Sequence, residues 1–220
     1  MILFGATGMV GAGALLECLD DPGVVRVVAV SRRSCEIRSP KLTERLVDDF
    51  SDYDPLRADF EGADACLFCL GVSSVGMSEA DYTRVTRDLT LAAARAVLVA
   101  APRSAFCYVS GAGTDATERG RTMWARVKGA TENALRAMPF RSAFMFRPAY
   151  IQPRLGVRSR TALYRAFYAV LGGLYPILSR VLPSLVTSTD VLGRALIRAA
   201  RDGYPKAVLE TRDINRLGIG

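Results

Sequence analysis

The chain predicts a doubly wound α/β fold, a parallel sheet with helices on both faces. Strand and helix signals alternate along most of its 220 residues, a glycine-rich loop joins the first strand to the first helix, and half of the residues are apolar. Strand-like runs lie at Ile2 to Phe4, Val25 to Val30, Arg45 to Asp48, Ala65 to Leu70, Ala105 to Ser110, Ser142 to Phe146 and Ala207 to Glu210. Helical spacing fills the intervals. Met9 to Asp20 follows the glycine loop, Asp81 to Ala100 ends before Pro102, and Thr122 to Met138 ends before Pro139. Thr187-Ser188-Thr189-Asp190 reads as the start of a helix through Ala200, with Thr189 or Ser188 as the N-cap oxygen.

No internal repeat, low-complexity tract or flexible linker divides the chain, so one domain over 1–220 is expected. About 1–150 is the core, and about 151–220 is a small helical cap with the last helix and strand. The segment from Gln152 to about Thr187 breaks the alternation and is assigned to that cap. Only Met1 to Phe4 precede the first glycine, fewer residues than the five or so of an ordinary strand. Either the strand is clipped or the native start lies upstream; no opening segment reads as a signal peptide.

Gly5-Ala6-Thr7-Gly8-Met9-Val10-Gly11 supplies the strongest chemical signal. In a strand, loop and helix order, the first glycine permits the tight turn, the second lets a diphosphate approach the backbone, and the third lets helix and strand pack closely. The helix N-terminus adds N–H groups and partial positive charge. At the end of the second strand stands Ser31-Arg32-Arg33, with no carboxylate between Asp21 and Glu36. A carboxylate there would accept from a ribose 2′-hydroxyl, whereas arginine pairs with a 2′-phosphate. The expectation is therefore NADP(H), held by Gly5, Thr7, Gly8, Met9, Val10, Arg32 and Arg33, with Asp49 and Phe50 beside the adenine. Arg32 and Arg33 as plain exposed loop charges are the competing explanation.

Net charge is +7, and Lys41, Lys128 and Lys206 are the only lysines. The arginines are scattered, without a dense run or interleaved aromatics, so nucleic acid is not expected as a partner. Five cysteines, an odd number, and no secretory signal suggest a reducing cytoplasm. Cys66 and Cys69 resemble half of a zinc or redox motif, yet in a strand they point to opposite faces, and the chain has no histidine. No metal site is expected. Ala166 to Ser179 carries no charge but is shorter than the roughly 20 residues a bilayer requires, and Arg165, Pro176, Arg180 and Gly172-Gly173 bound or interrupt it. A buried cap helix or subunit contact is expected there. The alternative is an interfacial helix on anionic lipid, beside Arg154, Arg158 and Arg160.

The glycine loop, Asp49-Phe50, Cys69-Leu70-Gly71, Tyr82-Thr83-Arg84-Val85, Val109-Ser110-Gly111, Arg126-Val127-Lys128-Gly129 and Phe146-Arg147-Pro148 resemble successive landmarks of atypical short-chain dehydrogenases/reductases. The resemblance is to Tat-interacting-protein-like and NAD-dependent epimerase/dehydratase-like proteins, over nearly the whole chain. It implies cofactor contacts from Leu70, Gly71, Lys128 and Pro148, and catalytic parts for Ser110 and Lys128. In that pattern a tyrosine four residues before the lysine moves the proton, but Trp124 stands there. An indole donates a hydrogen bond without ionising usefully near neutral pH.

Three explanations stay open. Tyr150 supplies the proton, ahead of Tyr108 and Tyr82; or the site binds NADP(H) without turnover; or the helix register differs. The sequence thus predicts an NADP(H)-binding oxidoreductase or epimerase-like enzyme on an unknown carbonyl or hydroxyl compound, with a catalytically silent NADPH-binding regulator as the alternative. A monomer or homodimer without a transmembrane segment is expected.

Overall fold

Seven parallel strands form the central sheet in the order β3–β2–β1–β4–β5–β6–β9, with the first strand in the middle. They are β1 Ile2–Phe4, β2 Val27–Ser31, β3 Leu42–Leu46, β4 Ala65–Phe68, β5 Ala105–Val109, β6 Ser142–Arg147 and β9 Val208–Glu210. A separate parallel pair joins β7 Tyr150–Gln152 to β8 Val186–Ser188. The computed structural model describes residues 1–154, 182 and 184–220. The expectations for the cap and for the uncharged Ala166 to Ser179 stretch lie outside the described residues.

Side-chain alternation along β1 fixes the two-sided core. Leu3 faces a cluster with α1 Met9–Asp20, α6 Thr189–Asp202 and α7 Thr211–Ile219, through Ala14, Leu15, Leu192, Leu196 and Ile214. Ile2 and Phe4 face the other layer, with Phe60 of α2 Arg57–Phe60, Val97 of α4 Leu89–Ala100 and Leu135 of α5 Met123–Arg136. Phe4 is the hub of an aromatic group there, with ring centroids 5.6 Å from Tyr53 and 5.2 Å from Phe68. Such pairs contribute about 0.5–1.5 kcal/mol each beyond burial.

Ahead of α4 the chain is already helical, in α3 Glu79–Thr83 and one wider turn at Arg84–Asp88, where the Leu89 N–H reaches back five residues to the Arg84 carbonyl. Two sequence expectations shift along the chain. Val25 is exposed before β2 starts, and the third strand runs from Leu42, four-fifths of it half-buried as befits a sheet edge. Ser188 takes the N-cap position of α6 without a side-chain cap bond, while the Thr189 hydroxyl accepts from the Arg154 N–H at 3.0 Å.

The first turn is fastened by backbone alone. Gly5 has φ +82°, and a side chain there would come within 2.7 Å of the Cys69–Leu70 main chain; a Cβ on Gly11 would stand 2.1 Å from the Gly5 carbonyl oxygen. Both glycines are required by the fold itself. Replacing Gly11 by alanine should cost about 1–3 kcal/mol through overpacking, seen as a fall in Tm of about 2–4 °C per kcal/mol at this chain length.

Candidate functional site

The sheet order reverses between β1 and β4, and the loops at their carboxyl ends bound the crevice where open α/β sheets take ligands. A cleft of about 180 Å³ opens there, lined by Gly5, Thr7, Ser31, Arg32, Arg33, Phe50 and Leu70. Six residues expected at the cofactor thus share one cleft. Gly8 is the N-cap of α1, its N–H donating to the Gly5 carbonyl at 2.8 Å, and Met9 and Val10 open a helix with no acidic residue in its first turn. The positive end of that helix is electrostatically uncancelled. Gly8 is less crowded than Gly5 and Gly11: a Cβ would meet only the Gly5 oxygen, at 3.3 Å, a tight contact that the turn would admit only by yielding a few tenths of an ångström.

Ser31 Oγ donates to the Arg33 carbonyl at 2.6 Å, which sets the turn beyond β2. Arg32 and Arg33 are exposed, and neither guanidinium forms an ion pair among the described residues. Asp49 is placed differently from Phe50. Its carboxylate accepts from the Ser51 N–H and hydroxyl, both at 2.7 Å, which holds its pKa below the usual range while it stays exposed outside the cleft lining. Gly71 is exposed just beyond Leu70.

Three strand steps from β2, roughly 14 Å across the sheet, a second group gathers at the ends of β5 and β6. Lys128 of α5 donates to the Ser110 carbonyl. A side chain on Gly111 would lie 4.0 Å from both the Lys128 Nζ and the Pro148 carbonyl oxygen. Ser110, Lys128 and Pro148 are therefore brought together. Tyr150 stands on β7, where its hydroxyl donates to Gln152 Oε1 at 2.7 Å. Trp124, one turn before Lys128, has its ring 3.5 Å from where a Gly113 side chain would begin. Tyr108 and Tyr82 are buried, and burial raises both phenols.

Behind Ser110 lies a pair that sequence reasoning missed. Glu132 is 1% exposed, and Arg147 grips both of its oxygens, Nε to Oε1 at 3.0 Å and Nη2 to Oε2 at 2.5 Å. The Ser110 hydroxyl donates to Glu132 Oε1 at 2.5 Å, with the Phe146 carbonyl 3.1 Å away. A signal was available, since Glu132 lies on the same helical stripe as Ala125, Lys128 and Leu135, and a carboxylate there needs a partner. Burial pushes the Lys128 ammonium down to about 8, against an upward pull from Glu132.

Desolvation governs the thiols of the sheet. Cys66 and Cys69 face opposite core clusters, and burial raises both, as well as Cys107. None of the five cysteines is in a disulfide, and among the described residues no group of His, Cys, Asp or Glu could hold a metal ion. Among the described residues no helix is long and apolar enough to cross a membrane.

No family model matches the chain. Its sequence is 28% identical to the protein named fmp52-2, mitochondrial, of Neosartorya fischeri, over 98% of this chain and 94% of that one. It is likewise 28% identical to fmp52, mitochondrial, of Emericella nidulans, over 90% and 85%. The chain is similar to the FMP52 proteins. This FMP52-like chain also shares its fold with a UDP-glucose 4-epimerase, with TM-score 0.70 and 16% identity over 98% of this chain and 79% of the other. The enzyme WbmF of Bordetella bronchiseptica in complex with NAD+ follows, with TM-score 0.67 and 15% identity over 98% and 76%. A short-chain dehydrogenase of Burkholderia cenocepacia in complex with NADP has TM-score 0.64 and 16% identity over 98% and 90%. The atypical short-chain dehydrogenase/reductase likeness and the Rossmann-like fold stand. The cytoplasmic expectation does not, because the FMP52 proteins that the chain is similar to are named as mitochondrial; an odd number of cysteines does not by itself identify a compartment.

Two stability measurements check this account of the second group. Glu132→Ala strands the Arg147 charge and should cost about 3–5 kcal/mol in chemical denaturation. Lys128 binds its proton less tightly folded than unfolded, so stability should rise as pH climbs from about 8 to the ordinary lysine value of 10.5. The rise should be about 1–3 kcal/mol and absent in Lys128→Met.

Proposed function

We propose that this FMP52-like chain binds NADP(H) and uses it as an atypical oxidoreductase or epimerase-like enzyme on a carbonyl or hydroxyl compound. The observation that carries the cofactor is the cleft at the N-terminus of α1, which gathers Gly5, Thr7, Arg32, Arg33, Phe50 and Leu70. The fold presses hardest on Gly5 and Gly11 and less on Gly8, and the absence of a side chain at Gly8 leaves the loop backbone open to approach from outside. The uncancelled end of α1 favours a diphosphate at that point, and two guanidinium groups without ion pairs stand across the cleft for a further phosphate. Leu70 and Phe50 offer apolar walls to the adenosine half, while Lys128 and Pro148 would border the nicotinamide half. When bound, the cofactor would supply or accept a hydride; Ser110, Lys128 and Tyr150 are the residues proposed to hold the substrate oxygen and its proton.

A silent NADPH-binding regulator is the second reading, favoured by Trp124 and by the commitment of the Ser110 proton to Glu132. Titration of NADPH against the fluorescence of Trp124, the single tryptophan, tests binding, and a carbonyl panel tests turnover. Arg32→Ala with Arg33→Ala should weaken NADPH about 10- to 100-fold and leave NADH nearly unchanged, on the scale of one or two charge-assisted hydrogen bonds. Equal weakening of both coenzymes would remove the 2′-phosphate assignment.

A further inference from the structure

Outside the core, a proton carrier at the carboxyl edge of the sheet must reach the ligand side, hold a proton near neutral pH and be free to release it. The chain has no histidine. Cys66 and Cys107 are sealed in the core, Tyr82 and Tyr108 are buried, and desolvation raises the thiol of the partly buried Cys69. Ser110 has one proton, and it is directed at Glu132 or the Phe146 carbonyl, leaving only lone pairs for a ligand. Trp124 does not ionise usefully. Lys128 differs from all of these: its Nζ makes one bond, to the Ser110 carbonyl, so two of its three N–H groups have no partner among the described residues.

We propose that the Lys128 ammonium is itself the proton donor to the substrate oxygen, and that the Glu132–Arg147 pair positions it. The step rests on the NADP(H) reading above. The substrate carbonyl carbon receives the hydride that reduced nicotinamide supplies, forming a C–H bond. The C=O π pair takes the Nζ proton as the N–H bond breaks, giving an alcohol, oxidised nicotinamide and a neutral amine that regains its proton from water. In the reverse direction the neutral amine accepts the alcohol proton.

The charge arrangement suits this cycle. Glu132 is the charge that pulls on Lys128 along α5, but Arg147 from β6 already neutralises it, and Glu210 at the end of β9 lies 3.5 Å from Arg147 on the far side. Tyr108 from β5 also feels Glu132, and burial keeps it neutral. An ammonium whose one counter-ion is already matched, in a desolvated position, gives up its proton more readily than a surface lysine.

Lysine labelled with ¹³C at Cε gives three resonances in this chain, one for each of Lys41, Lys128 and Lys206. One should titrate with a midpoint near 8, vanish in Lys128→Arg, and move to lower pH in Glu132→Gln. With NADPH and a panel of aldehydes, ketones and quinones, kcat should fall about tenfold per pH unit above that same midpoint. Lys128→Arg keeps the charge but cannot release it, and should lose about 100-fold or more in kcat measured at saturating NADPH, where any change in coenzyme affinity drops out. A Lys128 midpoint at the ordinary lysine value overturns the proposal, as does turnover that survives in Lys128→Arg. Loss of the alkaline limb in Tyr150→Phe, with the Lys128 resonance unmoved, assigns the proton to the phenol instead. NADPH bound without reduction of any carbonyl overturns the proton step and leaves the binding reading standing. Failure to bind NADPH overturns that reading and, with it, the hydride source this step requires, whatever the titration shows.

Discussion

A carboxylate taken fully out of water is the constraint around which the ligand side of this sheet is organised. Glu132 would be prohibitively costly to bury alone, and Arg147 meets it with a two-point grip while the Ser110 hydroxyl supplies a further bond. Those three residues come from α5, the end of β6 and the residue after β5. One buried charge therefore ties together the helix that carries Lys128 and the two strand ends that face a ligand. The same bond that satisfies Glu132 removes Ser110 from the set of groups with a proton to give.

The opposite end of the site follows the reverse logic. Around Gly5, Thr7, Arg32, Arg33, Phe50 and Leu70 the positive features are left unmatched: a helix end without acidic residues and two exposed guanidiniums without ion pairs. Unmatched positive charge in a concave, partly apolar cleft draws an anion, while matched charge in a dry cluster favours group placement over attraction. The two regions share one edge of one sheet, so the fold separates binding energy from chemistry along the strand order. The neighbours of this fold include an epimerase, an enzyme in complex with NAD+ and a dehydrogenase in complex with NADP, so the shared fold by itself fixes neither reaction nor coenzyme.

What the sequence revealed and what it hid divide along the range of the interactions. The glycine loop was legible because Gly5 and Gly11 answer local steric demands, a positive φ and a backbone approach within one turn. The strand register was legible where both faces are apolar, as at β1, β4 and β5, and blurred at β3, where an edge position admits Thr43 and Glu44. Asp49 looked like a ligand to adenine from its place after a strand, but a serine two residues on captures it in a local turn. The parallel pairing of β7 with β8 joins segments more than thirty residues apart through three-residue strands, too short to leave a periodic signature. Glu132 and Arg147 were hidden for the same reason: a buried ion pair between distant residues is a tertiary fact, visible in sequence only as a charge on an otherwise buried helical stripe.

Trp124 fits this division. A phenol one turn before Lys128 would have required a neighbouring cation to hold its ionised form, and Lys128 would have been fixed as that cation. An indole makes no such demand. It places an apolar ring beside Gly113, and the acidic group that pulls on the ammonium is the already matched Glu132. Desolvation is then the largest influence on Lys128, and it acts in the direction that loosens a proton. Position 124 thus carries no ionisable group, and one turn further along α5 the Lys128 Nζ keeps two N–H groups without a partner among the described residues.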